Sequence, residues 1–215
     1  LISGGLKKDG ESFILDLKDK LLEMKREGKY HFNSHVGFVA EKDIDAMAEI
    51  VDYVSYDFVS DADVIKRVYK LNKTVEEYIE LYKRLSKKIK TYPHITIGLD
   101  AGKIHWEYEA IDILADLGAD RLVLNVLIPT AGTEFAEVPN PDLQEVRKVM
   151  EYARQVFAGK PLIVGCMRPT GKYRSDFDEM AIEVGVDRIV QPTAKARAKA
   201  ENCLLYTSDA ADDDV

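Results

Sequence analysis

Apolar positions along the chain follow two alternating rhythms. Short runs rich in β-branched residues, LIS at the start, then YHFNSHV, YVSYDFV, HITIGL, RLVLNVLIP, PLIVGC and DRIVQP, are bounded by Gly, Pro, Asp or Asn and read as strands. Between them apolar residues recur at i, i+3 and i+4, the helical period. These helices are FILDLKDKLLEMKREG, which closes on Gly28, EKDIDAMAEIV, TVEEYIELYKRLSKKIK, EYEAIDILADLG, PDLQEVRKVMEYARQVF and FDEMAIEVG. Alternation of this kind argues for an α/β fold, a parallel sheet with helices on its faces. Seven visible strands, with one more before residue 1, would close a (β/α)8 TIM-type barrel of which strands 2 to 8 are present. An open doubly wound sheet is the alternative, but no G-x-G-x-x-G opens a helix after any strand.

The two ends carry their own expectations. LISGGLKKDG begins in mid-strand without an initiator Met, which points to a fragment lacking its first βα unit. At the far end TAKARAKAEN reads as a helix, and composition then changes abruptly in CLLYTSDAADDDV. The bases TGT CTC TTA TAC ACA TCT, the core of a transposase adapter end, spell Cys-Leu-Leu-Tyr-Thr-Ser. Residues 203–215 are therefore expected to be a non-native tail, and residues 1–202 an incomplete barrel.

Composition narrows the function classes. Of 215 residues, 46% are apolar and 32% charged, the mixture of a globular domain. No apolar run reaches the ~18 residues of a membrane span. The net charge of −8 argues against nucleic acid as the main partner, because phosphate recognition needs a basic surface. Cys166 and Cys203 make neither a disulfide framework nor a complete metal site. Scarce Cys with abundant Lys and Glu predicts a cytoplasmic protein.

In a barrel the chemistry sits where strands end. Those ends carry Ser3-Gly4-Gly5, Asn33-Ser34-His35, Tyr56-Asp57, Gly98 with Gly102, Asn125 with Pro129, Cys166-Met167-Arg168 and Gln191-Pro192. Gly4-Gly5 is either a plain turn or bared backbone that lets a ligand's charged end approach. His35 is either a core histidine or a site group. Asp57 interrupts an apolar and aromatic strand, where a carboxylate is costly unless paired or facing a polar pocket. GLDAGKIHWEYEAID runs a glycine-rich strand exit into a helix with Glu107 in its first turn, suited to close backbone approach by a ligand or simply an ordinary βα loop. Arg168 offers a forked donor for a carboxylate, or a surface salt bridge. No H-E-x-x-H, G-x-S-x-G, P-loop or zinc-spaced Cys pair occurs, so the residues supply a polar cradle without a reagent.

The order of these motifs resembles the radical S-adenosylmethionine (SAM) enzymes, and among them the biotin-synthase-like group, over nearly all of residues 1–202. SGG is similar to that family's Gly-Gly element for the methionyl amino group. YDFVSDADVIKRVYKLNKTVEEYIE resembles its fourth-strand segment, GLDAGKIHWEYEA its adenine-binding element with Gly102 and Ile104 matching, NVLIPTAGTEF its sixth strand and GCMRPTGKYR its seventh. Two features depart from the pattern. Trp106 stands where the adenine element has its second Gly, and Glu107 falls before its acidic position. The cluster motif C-x3-C-x2-C is absent from the sequence, and the resemblance places it upstream of Leu1.

The resemblance implies S-adenosylmethionine and a 4Fe-4S cluster as cofactors of the parent, held so that a 5′-deoxyadenosyl radical abstracts hydrogen from the substrate. Ser3, Gly4, Gly5, Asn33, His35, Asp57, Gly102, Ile104, Glu107 and Asn125 would bind the cofactor, and Cys166 and Arg168 the substrate. No residue is assigned as catalytic. The implied substrate is a small molecule or acyl chain, with sulfur insertion of the lipoyl- or biotin-synthase kind as one outcome and a paired radical SAM subunit as a partner. Carbon-skeleton rearrangement, hydrogenase-cofactor maturation, and a cluster-free barrel that binds a nucleotide or serves as a partner subunit are the alternatives. No nucleic acid or membrane partner is expected.

Overall fold

The computed structural model describes Ile2, Lys7, residues 13–28 and residues 30–202. Its strands are β1 (Asn33–Val36), β2 (Tyr53–Asp57), β3 (Lys90–Ile97), β4 (Leu122–Val126), β5 (Leu162–Val164) and β6 (Arg188–Ile189). Its α-helices are α1 (Lys18–Arg26), α2 (Ile44–Ile50), α3 (Ala62–Val68), α4 (Val75–Lys88), α5 (Glu107–Asp116), α6 (Leu143–Val156), α7 (Gly171–Val184) and α8 (Ala194–Asn202). The strands form one sheet in sequence order, β1 to β6, and β1–β2, β2–β3, β4–β5 and β5–β6 pair in parallel. The α/β class with sequential parallel strands and intervening helices, as in TIM-type barrels, is thus the one expected from the sequence. The chain divides into two compact units, one running through His94 and the other starting at Ile95, inside β3.

In the first unit the strand foreseen at LIS is represented by Ile2, which bridges Ser34 in parallel: its N–H donates to the Asn33 carbonyl and its carbonyl accepts from His35 N–H. Ser3, Gly4 and Gly5 lie outside the described residues. In-register parallel partners share a sheet face, so β1 and β2 sort their side chains strictly. Val36, Val54 and Tyr56 point one way and are buried, with the Tyr56 hydroxyl donating to the Tyr78 carbonyl of α4 at 3.1 Å. Met47, Ile50, Leu81, Tyr82 and Leu85 of α2 and α4 complete this core. The first helix ends as foreseen, with Gly28 left-handed at φ 69° just past α1.

Two elements near the end of the first unit differ from the sequence reading. The strand read as HITIGL begins four residues earlier, at Lys90, and carries Pro93 opposite Tyr56. A proline inside a strand lacks a ladder donor and reads as a boundary, which hid Lys90–Pro93. The short α3 was also not foreseen. Its start is marked by Asp61, whose side chain accepts from Val64 N–H, a local capping signal too brief to produce a helical stripe.

In the second unit α5, α6, α7 and α8 pack in succession. Their apolar stripes, including Ile111, Leu114, Val149, Met150, Phe157, Phe177 and Ala181, are buried, and β4 is buried along its whole length. The α7 helix starts at Gly171 rather than at Phe177, because GKYRSD has no apolar stripe by which periodicity could detect it. TAKARAKAEN is helical as read, and Cys203 with the following segment lies outside the described residues. Among the described residues no helix is long and apolar enough to cross a membrane.

The α4 N-terminus is fixed by a full capping box. Thr74 Oγ1 accepts from Glu77 N–H at 3.3 Å and the Glu77 carboxylate accepts from Thr74 N–H at 2.9 Å. Replacement Thr74→Ala is expected to lower stability by about 1 kcal/mol, read as a shift in the urea midpoint without a change in slope.

Candidate functional site

The face of β1, β2 and β3 opposite the helix-packed core of the first unit is polar. Register pairs Asn33 with Tyr53, His35 with Ser55, Ser55 with Tyr92 and Asp57 with His94, so all of these side chains stand on one face. Ser55 donates to Asn33 Oδ1 at 3.1 Å. Its small side chain lets the rings of His35 and His94 meet over β2, edge to face with centroids 5.2 Å apart. His35 Nδ1 stands 3.7 Å from Asp57 Oδ2.

Charge in this cluster is divided by environment. Burial pushes the Asp57 carboxyl up, but the polar contact with His35, with the two imidazoles beside it, outweighs this and holds the group below the usual carboxylate range. Burial pushes the His94 imidazole down against the pull of Asp57, so it stays neutral. The Tyr92 carbonyl, 2.9 Å from His94 Nδ1, can only accept, which assigns the proton to Nδ1. Behind Asp57, burial and neighbouring phenols raise Tyr56 far above its ordinary value, and burial with the Asp57 charge does the same to Tyr69. Both remain uncharged donors.

The second unit builds a different arrangement at its own strand ends. The loop after β3 turns on three left-handed residues, Gly98 (φ 75°), Ala101 (φ 50°) and Gly102 (φ 85°). A Cβ on Gly98 would stand 2.5 Å from Pro141 Cγ, and one on Gly102 would stand 3.2 Å from the Pro139 carbonyl. The glycines are therefore required by packing of the loop on the segment before α6. Glu107, fully buried at the start of α5, accepts from Gly98 N–H and His105 N–H, both at 2.8 Å. Burial raises its carboxyl while these backbone amides hold part of that rise back. In the same loop the buried Asp100 carboxylate meets His105 Nε2 at 2.9 Å, and Ile104 is half-buried.

Asn125 and Arg168 are drawn into the framework of this unit. Asn125 Oδ1 accepts from Met167 N–H at 3.3 Å and packs so tightly on Gly165 that a Cβ there would lie 2.1 Å from it. Arg168 is 1% exposed. Its Nε donates to Asp178 Oδ1 at 2.6 Å, Nη1 to the Gly165 carbonyl at 2.6 Å, and Nη2 to Asp178 Oδ2, Val190 O and Gln191 O at 3.3, 3.0 and 3.1 Å. Asp178 Oδ2 also accepts from Thr193 N–H at 2.8 Å, which ties β5, α7 and the loop after β6 to the start of α8. The fork foreseen for a substrate carboxylate thus holds one supplied by α7. Cys166, by contrast, is an exposed thiol.

The structure therefore gathers Asn33, His35 and Asp57 in the first unit, and Gly102, Ile104 and Glu107 in one loop of the second. Sequence reasoning missed His94, Asp100, His105 and Asp178. His94 was legible in principle as the second position after Tyr92 in a strand alternating onto the polar face. Asp178, ten positions from Arg168 and within a helix, gave no local signal. Among the described residues no group of three or more His, Cys, Asp or Glu side chains is placed to hold a metal ion.

No protein-family model matches the sequence, and no curated protein matches it. The fold does have solved counterparts. Methylornithine synthase (PylB) superposes with a TM-score of 0.66 at 10% identity over 92% of this chain, which spans 64% of that chain. HMG-CoA lyase from Brucella melitensis gives 0.61 at 12% identity, over 91% of this chain and 76% of that one. A domain of pyruvate-formate lyase-activating enzyme from Bacteroides vulgatus gives 0.55 at 14% identity, over 76% of this chain and 98% of that one. At such identities the likeness establishes the fold alone.

Two outcomes follow from the buried charges. Asp178→Ala strands the Arg168 guanidinium and is expected to cost about 3–5 kcal/mol in chemical denaturation, more than any surface ion-pair deletion in the chain. Asp57 and His94 both have folded values below their unfolded ones. The unfolded chain then binds more protons, and stability falls with pH, first below about 6.5 for His94 and then below about 3.9 for Asp57. Glu107, with its raised folded value, acts in the opposite sense. His94→Gln should flatten the fall in melting temperature between about pH 7 and pH 5 relative to the parent.

Proposed function

We propose that the polar face of β1–β3 in the first unit is a small-molecule site and that its ligand is S-adenosylmethionine, as in the radical SAM barrels. The observation that carries this reading is the placement of Asn33, His35 and Asp57 on one face of a parallel sheet, where apolar residues are the rule. A carboxylate held ionised and 40% exposed on its side chain suits a ligand that carries a sulfonium and an ammonium charge. Fold neighbours that are radical SAM enzymes, PylB and the pyruvate-formate lyase-activating enzyme among them, support it, and the lyase neighbours leave the fold neutral on the point. On this reading Asp57 would hold the cationic end, and Asn33 and His35 the polar groups beside it.

The 4Fe-4S cluster is a separate matter. Such a cluster is held by three or four thiolates, and the described residues contain a single cysteine, Cys166. These residues do not fit it. Sulfur insertion into an acyl chain, in the manner of biotin or lipoyl synthases, rests on motif likeness alone. A second reading, a cluster-free barrel that binds a nucleotide or serves a partner subunit, is favoured by Arg168, whose fork is already filled by Asp178.

Isothermal titration of the full chain with S-adenosylmethionine is expected to show saturable binding, weakened about tenfold or more by Asp57→Asn. Binding that the variant leaves unchanged would remove Asp57 from the site. No saturable binding at all would overturn the reading.

A further inference from the structure

We propose that His35, Asp57 and His94 form a proton-transfer site, with His35 as the exchanging group, Asp57 as its counter-charge and His94 as a positioning residue. The site shares its face with the ligand-binding reading above but does not rest on SAM being the ligand.

Three adjacent parallel strands each contribute one residue. β1 gives His35, β2 gives Asp57 and β3 gives His94, all on the face where Ser55 leaves room for the two rings to meet. Each side chain has a different condition. His94 is buried, with Nδ1–H committed to the Tyr92 carbonyl, so its ring is immobilised as a wall. Asp57 is ionised and its Oδ2 stands 3.7 Å from His35 Nδ1. With Nδ1 the ring nitrogen next to this carboxylate, Nε2 of His35 is the nitrogen left to meet a ligand. His35 is the most accessible of the two rings, with 30% of its side chain exposed. The remaining titratable neighbours of Asp57 are the phenols of Tyr56, Tyr69 and Tyr78, which burial keeps protonated and uncharged.

The step conserves charge and atoms. An O–H or N–H bond of the ligand breaks with its electron pair left on the heteroatom, a new N–H bond forms at His35 Nε2, and the imidazolium is balanced by Asp57. The reverse step returns the proton. With both rings neutral the cluster carries one negative charge, so it selects uncharged or cationic ligands bearing a hydroxyl or amine and repels anions.

Carbethoxylation of the full chain by diethyl pyrocarbonate, followed peptide by peptide by mass spectrometry, tests this. His31, whose side chain is 79% exposed, serves as the internal control. The ratio of His35 to His31 modification rates is expected to fall several-fold in His94→Gln and in Asp57→Asn, and its pH dependence to move in Asp57→Asn. An unchanged ratio and profile in variants that keep the parental circular dichroism would overturn the site. In the unmodified parent chain, which does not depend on any variant folding, choline should slow His35 modification while acetate at equal ionic strength should not. Equal slowing by both, or by neither, would overturn the ligand class. Failure of SAM to bind leaves these rates unaffected, so the two readings fail separately.

Discussion

Register in the parallel sheet is the constraint on which the rest depends. Parallel partners point to the same face, and a slip of one residue along β1 or β2 would exchange every inward side chain for an outward one. Val36, Val54 and Tyr56 would then face the polar side, while His35, Ser55 and Asp57 would be pressed against α2 and α4. Burying those polar groups without partners costs far more than a sheet of this size can offset. The same arithmetic that builds the core therefore places the titratable cluster, and neither can be changed without the other.

The second unit is secured by another means. Arg168 and Asp178 are both fully withdrawn from water, a costly arrangement unless nearly every donor and acceptor is matched. Here they are matched: the guanidinium reaches two carboxylate oxygens and three backbone carbonyls, and the carboxylate takes one further backbone amide. The pair acts as a hub for chain segments that would otherwise end in unsatisfied carbonyls beyond β5 and β6. Hydrophobic burial alone has no such directional reach, and β6 spans only two residues.

How much of this was legible follows from which signals are local. The strand and helix alternation was readable because each apolar run faces a core in its own right, and six of the seven strands foreseen are present, with Ile2 bridging where the seventh was expected. Asn33, His35 and Asp57 were readable as polar breaks in apolar strands. His94 was read only as the first residue of its strand, because Pro93 hid Lys90–Pro93 and with them the phase that sets His94 beside Tyr92, and α3 escaped because its signal is a local cap. The role of Arg168 could not be read at all, since a fork seeking a carboxylate looks the same whether the carboxylate arrives in solution or on the next helix. Gly98 and Gly102 were read either as room for a ligand or as an ordinary loop, and in the fold a side chain on either would meet the Pro139–Pro141 segment.

That last contact orders events in time. The turn after β3 packs against Pro139 and Pro141, which lie a long way further along the chain. A nascent polypeptide that has exposed the turn but not yet those prolines has the hydrogen bonds of Gly98 to Glu107 and of Gly102 to Gly98, but not the packing that closes over the two glycines. Ribosomal emergence of the segment before α6 thus completes the packing of the loop, and the end of β3 matures later than its position in the sequence suggests.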